Sequence, residues 1–203
     1  MSTRLGRRDR FFMIFAYETG ARLQEMLDLQ LNSIIRGDTS VRVRIHGKEN
    51  KIRYVPLLGV TVNHLNAYLA EFHKGSSQNT FLFYTVHSSK KTQMKPATAD
   101  YFLKKYGTLA HDANHAFPAN LHAHMLRHSI AMAMYKKGIP ISYIRDFLGH
   151  SSIETTTVYS YADEETITQA LESVDHEKTI ALETKQKGWK GKEQYLLEYC
   201  GLS

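Results

Sequence analysis

Two arginines stand where a solvated cation is not expected. Arg22 lies in Thr19-Gly20-Ala21-Arg22-Leu23-Gln24-Glu25 and Arg127 in His124-Met125-Leu126-Arg127-His128, each among apolar residues at helical spacing. A guanidinium is always charged and its planar fork bonds two oxygens at once. A pair of them therefore suits a phosphodiester, whose transition state gathers negative charge on its oxygens. Glu25 follows Arg22 by one helical turn and is placed to pair with it and hold the fork. A rival chemistry is zinc, because His111, His115, His122, His124 and His128 crowd one region, with two pairs at i, i+4. Neither pair has Glu directly after its first histidine, Asp112 is the carboxylate at hand, and Cys200 is the lone cysteine, so no metal is expected. The chain also lacks a glycine-rich loop ending in Lys-Ser or Lys-Thr and a Gly-x-Ser-x-Gly elbow.

The hydrophobic pattern predicts the elements that must carry these groups. Phe11, Phe12, Phe15, Leu23, Met26 and Leu27 recur at helical spacing over residues 7–31 and are interrupted at Thr19-Gly20, which predicts two helices joined at the glycine. Val41, Val43 and Ile45 alternate with Arg42, Arg44 and His46, and an extended pattern resumes over residues 52–57. This is a β-hairpin whose turn region, Gly47-Lys48-Glu49-Asn50, holds Lys48. Val62, Leu65, Tyr68, Leu69 and Phe72 predict a helix; residues 81–84 read as a short strand and 88–96 as a polar loop. Helices are expected over about 99–115, capped by Thr98 or Thr92, and over about 122–137, stopped by Gly138 and Pro140. Shorter helices over 141–148 and around 153–161, another over 164–174, a basic glycine-punctuated stretch over 185–192 and a terminal helix over 193–200 complete the pattern.

With 203 residues, 42% of them hydrophobic and 23% charged, the chain has material for one sizeable core and no compositional case for disorder. No stretch reaches the roughly 18 uninterrupted apolar residues of a membrane span. A lone cysteine and an N-terminus without a secretory pattern lead to the expectation of a cytoplasmic, nucleoid-associated protein. The formal charge of +6 favours an anionic partner without establishing one.

Four blocks, in order, resemble the catalytic domain of the tyrosine recombinase (phage integrase) family. Residues 19–25 resemble its first arginine box, 47–56 its lysine-bearing hairpin, 124–128 its second box, and Leu148-Gly149-His150 through Tyr159 the block that ends in the nucleophile. The resemblance implies an α+β, mainly α-helical fold: an integrase-type catalytic domain over residues 1–175 with a small antiparallel β-sheet. It further implies that Tyr159 attacks a DNA phosphate to give a 3′-phosphotyrosyl link and a free 5′-hydroxyl, with no ATP, metal or other cofactor. Arg22 and Arg127 would clamp the non-bridging oxygens, His150 would donate another hydrogen bond, Lys48 would protonate the leaving 5′-oxygen and His124 would assist proton removal from Tyr159. Lys51 is the rival to Lys48, and Tyr143 and Tyr161 are the neighbours to be told apart from Tyr159. His128 is read as a core histidine, and Arg42, Arg44, Lys90, Lys91, Lys104 and Lys105 as phosphate contacts or solvated charges.

Against the family pattern, Tyr161 stands where many members have histidine, and the N-terminal core-binding domain that usually closes the other half of a DNA clamp is expected to be absent. Residues 176–203 are read as a tail exchanged between protomers, with Leu196, Leu197 and Tyr199 as its apolar face. The expected partner is double-stranded DNA carrying specific recombination sites, bound by a homotetramer. The alternatives are a type IB topoisomerase and a catalytically silent, integrase-derived DNA-binding regulator. Covalent adduct formation and strand exchange between duplexes separate the three.

Overall fold

A computed structural model describes residues 3–47 and 51–149. Helix α1 (Arg4–Thr19) begins where the Thr3 hydroxyl accepts the Gly6 N–H at 3.1 Å, a side-chain cap for an otherwise unmet donor. It buries Phe11, Phe12 and Phe15 at the centre of the core. Phe12 meets Phe83 and Phe102 edge-on at 4.8 and 5.2 Å, and Phe11 stacks on Tyr68 at 4.6 Å. The helix stops at Gly20, whose φ of 56° is the left-handed cap that glycine adopts without a Cβ penalty. Space is as demanding as conformation there, because a Cβ would lie 2.9 Å from Phe147 and 3.0 Å from Leu148. Gly20→Ala is expected to cost at least about 1–3 kcal/mol for the backbone alone, with the steric clash in addition, read as a lowered midpoint in urea unfolding.

The predicted second helix follows as α2 (Leu23–Asp28), and a single 3₁₀ turn (Leu31–Ser33) leads into the sheet. Strands β1 (Ile34–Arg36), β2 (Val41–His46) and β3 (Ile52–Leu57) form an antiparallel sheet in that order. The predicted hairpin is β2–β3, with His46 opposite Ile52, and β1 is an addition to it. Val43, Ile45, Val55 and Leu57 turn into the core as the alternation requires. Pro56 is tolerated because β3 is an edge strand. Helix α3 (Gly59–Phe72) has no cap of its own; the Glu18 carboxylate of α1 accepts the Leu58 N–H and the Thr61 hydroxyl instead.

Three expectations need correction beyond α3. The strand read over 81–84 is β4 (Tyr84–His87), and Leu82 and Phe83 are core residues ahead of it. The polar loop over 88–96 contains β5 (Lys90–Gln93), paired with β4 through a two-residue turn in which Ser88 and Ser89 both have positive φ. Helix α4 (Pro96–Ala113) starts at Lys95 with Pro96 in its first turn, so neither Thr98 nor Thr92 is its cap. Helices α5 (Ala123–Lys136) and α6 (Ile141–Leu148) fall where the pattern places them. No described helix is long and apolar enough to cross a membrane.

Candidate active site

The two boxes that carry Arg22 and Arg127 converge although 105 positions separate them in sequence, counting from 22 to 127. Ala21, Arg22 and Leu23 at the start of α2, His122, Ala123, His124 and Arg127 on the first turns of α5, and Asp100 of α4 line one cleft of about 260 Å³. The start of an α-helix concentrates partial positive charge, so α5 adds to the field of the two guanidiniums there. Asp100 is the one carboxylate among the lining residues.

Arg22 sits in extended backbone just ahead of α2, at its N-cap, rather than inside a helix. Its side chain remains 41% exposed while Glu25 beneath it is only 7% exposed. Glu25 accepts the Arg22 backbone N–H at 2.8 Å and Arg22 Nη1 at 2.9 Å, the pairing expected from their spacing. It also accepts Arg53 Nη2 at 2.7 Å and Arg53 Nη1 at 3.2 Å. Burial opposes the charge on Glu25, but the hydrogen bonds from Arg53 and Arg22 outweigh it and hold the carboxyl below its ordinary range.

Arg127 is 2% exposed, on an α5 face where Ala123 and Ala131, one turn to either side, let α1 approach. Its Nη1 donates to the Gly20 carbonyl, and its Nη2 to the Leu148 carbonyl at 2.8 Å. The guanidinium thus fastens the C-terminal ends of α1 and α6, two places with unmet helix carbonyls. Arg22 reaches the Gly149 carbonyl in longer contacts of 3.4 and 3.5 Å. Both arginines therefore grip the chain immediately ahead of position 150.

His124 lines the same cleft. Burial, then the positive field of Arg127, His122, His128 and Arg22, holds its imidazole below the ordinary histidine value, which leaves it neutral and able to take a proton at neutral pH. His128 is exposed, not a core histidine as the sequence suggested. His111 and His115 lie ring to ring at 4.9 Å, and His111 Nδ1 donates to the Phe117 carbonyl at 2.7 Å; neither lines the cleft. Among the described residues no group of three or more His, Cys, Asp or Glu side chains is placed to hold a metal ion.

Lys48, His150 and Tyr159 lie outside the described residues, as does the tail over 176–203. The rival Lys51 is described; its carbonyl accepts the Gly47 N–H at 2.7 Å and closes the hairpin where its turn begins. A Cβ on Gly47 would stand 3.6 Å from Glu25 Oε1, so the turn starts beside the carboxylate that holds Arg22. Sequence reasoning missed Arg53 and Asp100. Arg53 had a signal, since it shares strand parity with buried Val55 and Leu57.

This constellation, on a mainly helical α+β domain with small antiparallel sheets, defines a class. The phage integrase family model matches residues 2–166, and the chain belongs to that family. Among curated relatives, the tyrosine recombinase XerA of Thermococcus onnurineus (strain NA1) is 31% identical over 166 residues, 82% of this chain and 55% of that protein. Tyrosine recombinase XerC of Lacticaseibacillus casei (strain BL23) is 32% identical over 170 residues, 78% of this chain and 52% of that protein. The chain spans about half the length of these curated relatives. Among solved structures, XerH site-specific recombinase bound to palindromic difH substrate in a post-cleavage complex is 26% identical, with a TM-score of 0.68 over 84% of this chain and 47% of that one. The crystal structure of XerA recombinase shares the fold at a TM-score of 0.63 and 19% identity, over 84% of this chain and 63% of that one.

Proposed function

We propose that the chain is the catalytic part of a site-specific DNA recombinase that cuts and rejoins DNA through a 3′-phosphotyrosyl intermediate. The observation that carries this reading is the convergence of Arg22, His124 and Arg127 on one cleft. Residues 1–175 are the catalytic domain and 176–203 a tail exchanged between protomers of a DNA-bound homotetramer. The Tyr159 phenol oxygen bonds to phosphorus as the P–O5′ bond breaks; the phenolic proton passes toward His124 and Lys48 supplies a proton to the departing 5′-oxygen. Arg22, Arg127 and His150 offset the charge that builds on the non-bridging oxygens. The phosphodiester energy stays in the protein–DNA link, so a 5′-hydroxyl from another strand reverses the step without ATP or metal.

The supporting similarity is to named tyrosine recombinases and to a recombinase captured on its DNA substrate. Intact candidates for every catalytic position weigh against a silent DNA-binding regulator, and the relatives weigh against a type IB topoisomerase. The test incubates the protein with nicked duplexes from the DNA flanking its gene, in excess chelator, and seeks an SDS-resistant adduct. An adduct in chelator is expected, with its DNA joined through a 3′-phosphate. Loss of the adduct in chelator with DNA binding intact would overturn the metal-free chemistry, and binding without any adduct would favour the regulator.

A further inference from the structure

Glu25 is shared between two guanidiniums that come from different parts of the fold. Oε1 accepts Arg22 Nη1 at 2.9 Å and Arg53 Nη1 at 3.2 Å; Oε2 accepts the Arg22 backbone N–H at 2.8 Å and Arg53 Nη2 at 2.7 Å. Arg53 comes from β3, directly across the sheet from Ile45 of β2. Its side chain is 12% exposed. Its Nε is buried without a hydrogen-bond partner among the described residues.

Arg53 also lies against Gly149. A Cβ at that position would be 3.0 Å from Arg53 Nη1 and 3.3 Å from its Cδ, and the φ of 66° already calls for glycine. The carbonyl of the same glycine takes the long contacts from Arg22. One arginine therefore lies against the carboxylate under Arg22, the backbone in front of Arg22, and Gly47 just after β2, where a Cβ would be 3.6 Å from Arg53 Nη1.

We propose that Arg53 is a positioning residue for Arg22: by clamping Glu25 in two-point geometry from the hairpin side, it fixes the direction of the guanidinium that enters the cleft. That Arg22 acts on phosphate rests on the recombinase reading; that Arg53 orients it does not. A lysine is not an equivalent, because a point charge holds one carboxylate oxygen at a time and leaves the other free to swing with Arg22. Arg53 itself does not line the cleft, so its effect on chemistry passes through Glu25 and Arg22.

The test follows the Arg22 side chain directly. In ¹⁵N-arginine spectra of the whole protein, the Nη signals that vanish in Arg22→Lys belong to Arg22 and are expected to be restrained in the parent. In Arg53→Lys they are expected to average to those of a freely rotating guanidinium, with cooperative melting preserved. Glu25→Gln is the second variant, read in the same way if Arg53→Lys does not fold. In parallel, single-turnover adduct formation by Arg53→Lys is expected to fall by about 100-fold, the scale on which a misplaced group costs rate, with DNA affinity unchanged. Arg22 signals as restrained in the folded variants as in the parent would overturn the proposal, as would a full cleavage rate. A parent that forms no adduct on any duplex removes the recombinase reading, while the spectra still decide whether Arg53 orients Arg22.

Discussion

Tyr159→Phe will form no SDS-resistant adduct on any duplex that the parent cleaves, and it will bind that duplex as tightly as the parent does. The substitution removes one oxygen and keeps the ring, so it tests the chemistry with little change in packing volume. Without the phenol oxygen there is no atom to bond to phosphorus at that position, and general acid or electrostatic help elsewhere has nothing to act on. A phenol titrates near pH 10, so attack at neutral pH depends on groups that lower this barrier. The cleft supplies two fixed cations and, in His124, an imidazole held neutral by burial and by those cations. The measurement is a denaturing gel for the adduct beside a native gel for binding, followed by peptide mapping of the parent adduct. Tyr161 is two residues further on and is also a phenol. An adduct that persists in Tyr159→Phe and maps to Tyr161 would move the nucleophile to that residue.

What could be read from the sequence follows what each element does physically. The joint between α1 and α2 was legible because a glycine interrupts two apolar stripes. The reason for the glycine was not, because the side chains crowding it, Phe147 and Leu148, are more than 120 positions away by count from 20 to 147. The β2–β3 hairpin announced itself by alternation, whereas β1 is three residues long and offers no period to detect. The misreading around 81–96 has one cause. Leu82 and Phe83 are apolar because they plug the core beneath α1, and the true hairpin after them is polar, with Lys90, Lys91 and Thr92 exposed and serines in place of the usual Asn-Gly turn.

The candidate site divides in the same way. Box residues such as Arg22, His124 and Arg127 carry local signatures, and the fold brings all three to one cleft. Arg53 is different. Its link to Glu25 runs between a strand and a helix start, and nothing in the local pattern of either names the other. Only strand parity marks it, as a cation on the face that buries Val55 and Leu57. Such a residue is found by asking which charge sits on an inward face, a question that the motifs do not prompt.

Arg127→Ala will lose both cleavage and much of the stability of the domain, and Arg22→Ala, its companion, will lose cleavage alone. The difference comes from what each guanidinium is already holding. Arg127 is buried, with its fork on the carbonyls of Gly20 and Leu148, where α1 and α6 end. Hydrogen bonds from a charged group contribute about 1.5–3 kcal/mol each, so losing two of them and leaving both carbonyls buried is expected to cost roughly 3–6 kcal/mol. That is a large share of the about 5–15 kcal/mol by which an ordinary domain is stable. Arg22 is 41% exposed, and its ion pair with Glu25 has a solvated side, so its loss is expected to cost under about 1 kcal/mol. Glu25 keeps the Arg53 fork in that variant. For cleavage the ranking vanishes, since each arginine is expected to be worth about 100- to 1,000-fold as a preorganised donor to the developing charge. Urea unfolding beside single-turnover adduct rates reads both quantities. If Arg127→Ala unfolded at the parent midpoint, its carbonyl contacts would not be holding α1 and α6 together, and the same side chain would have to be assigned to the phosphate alone.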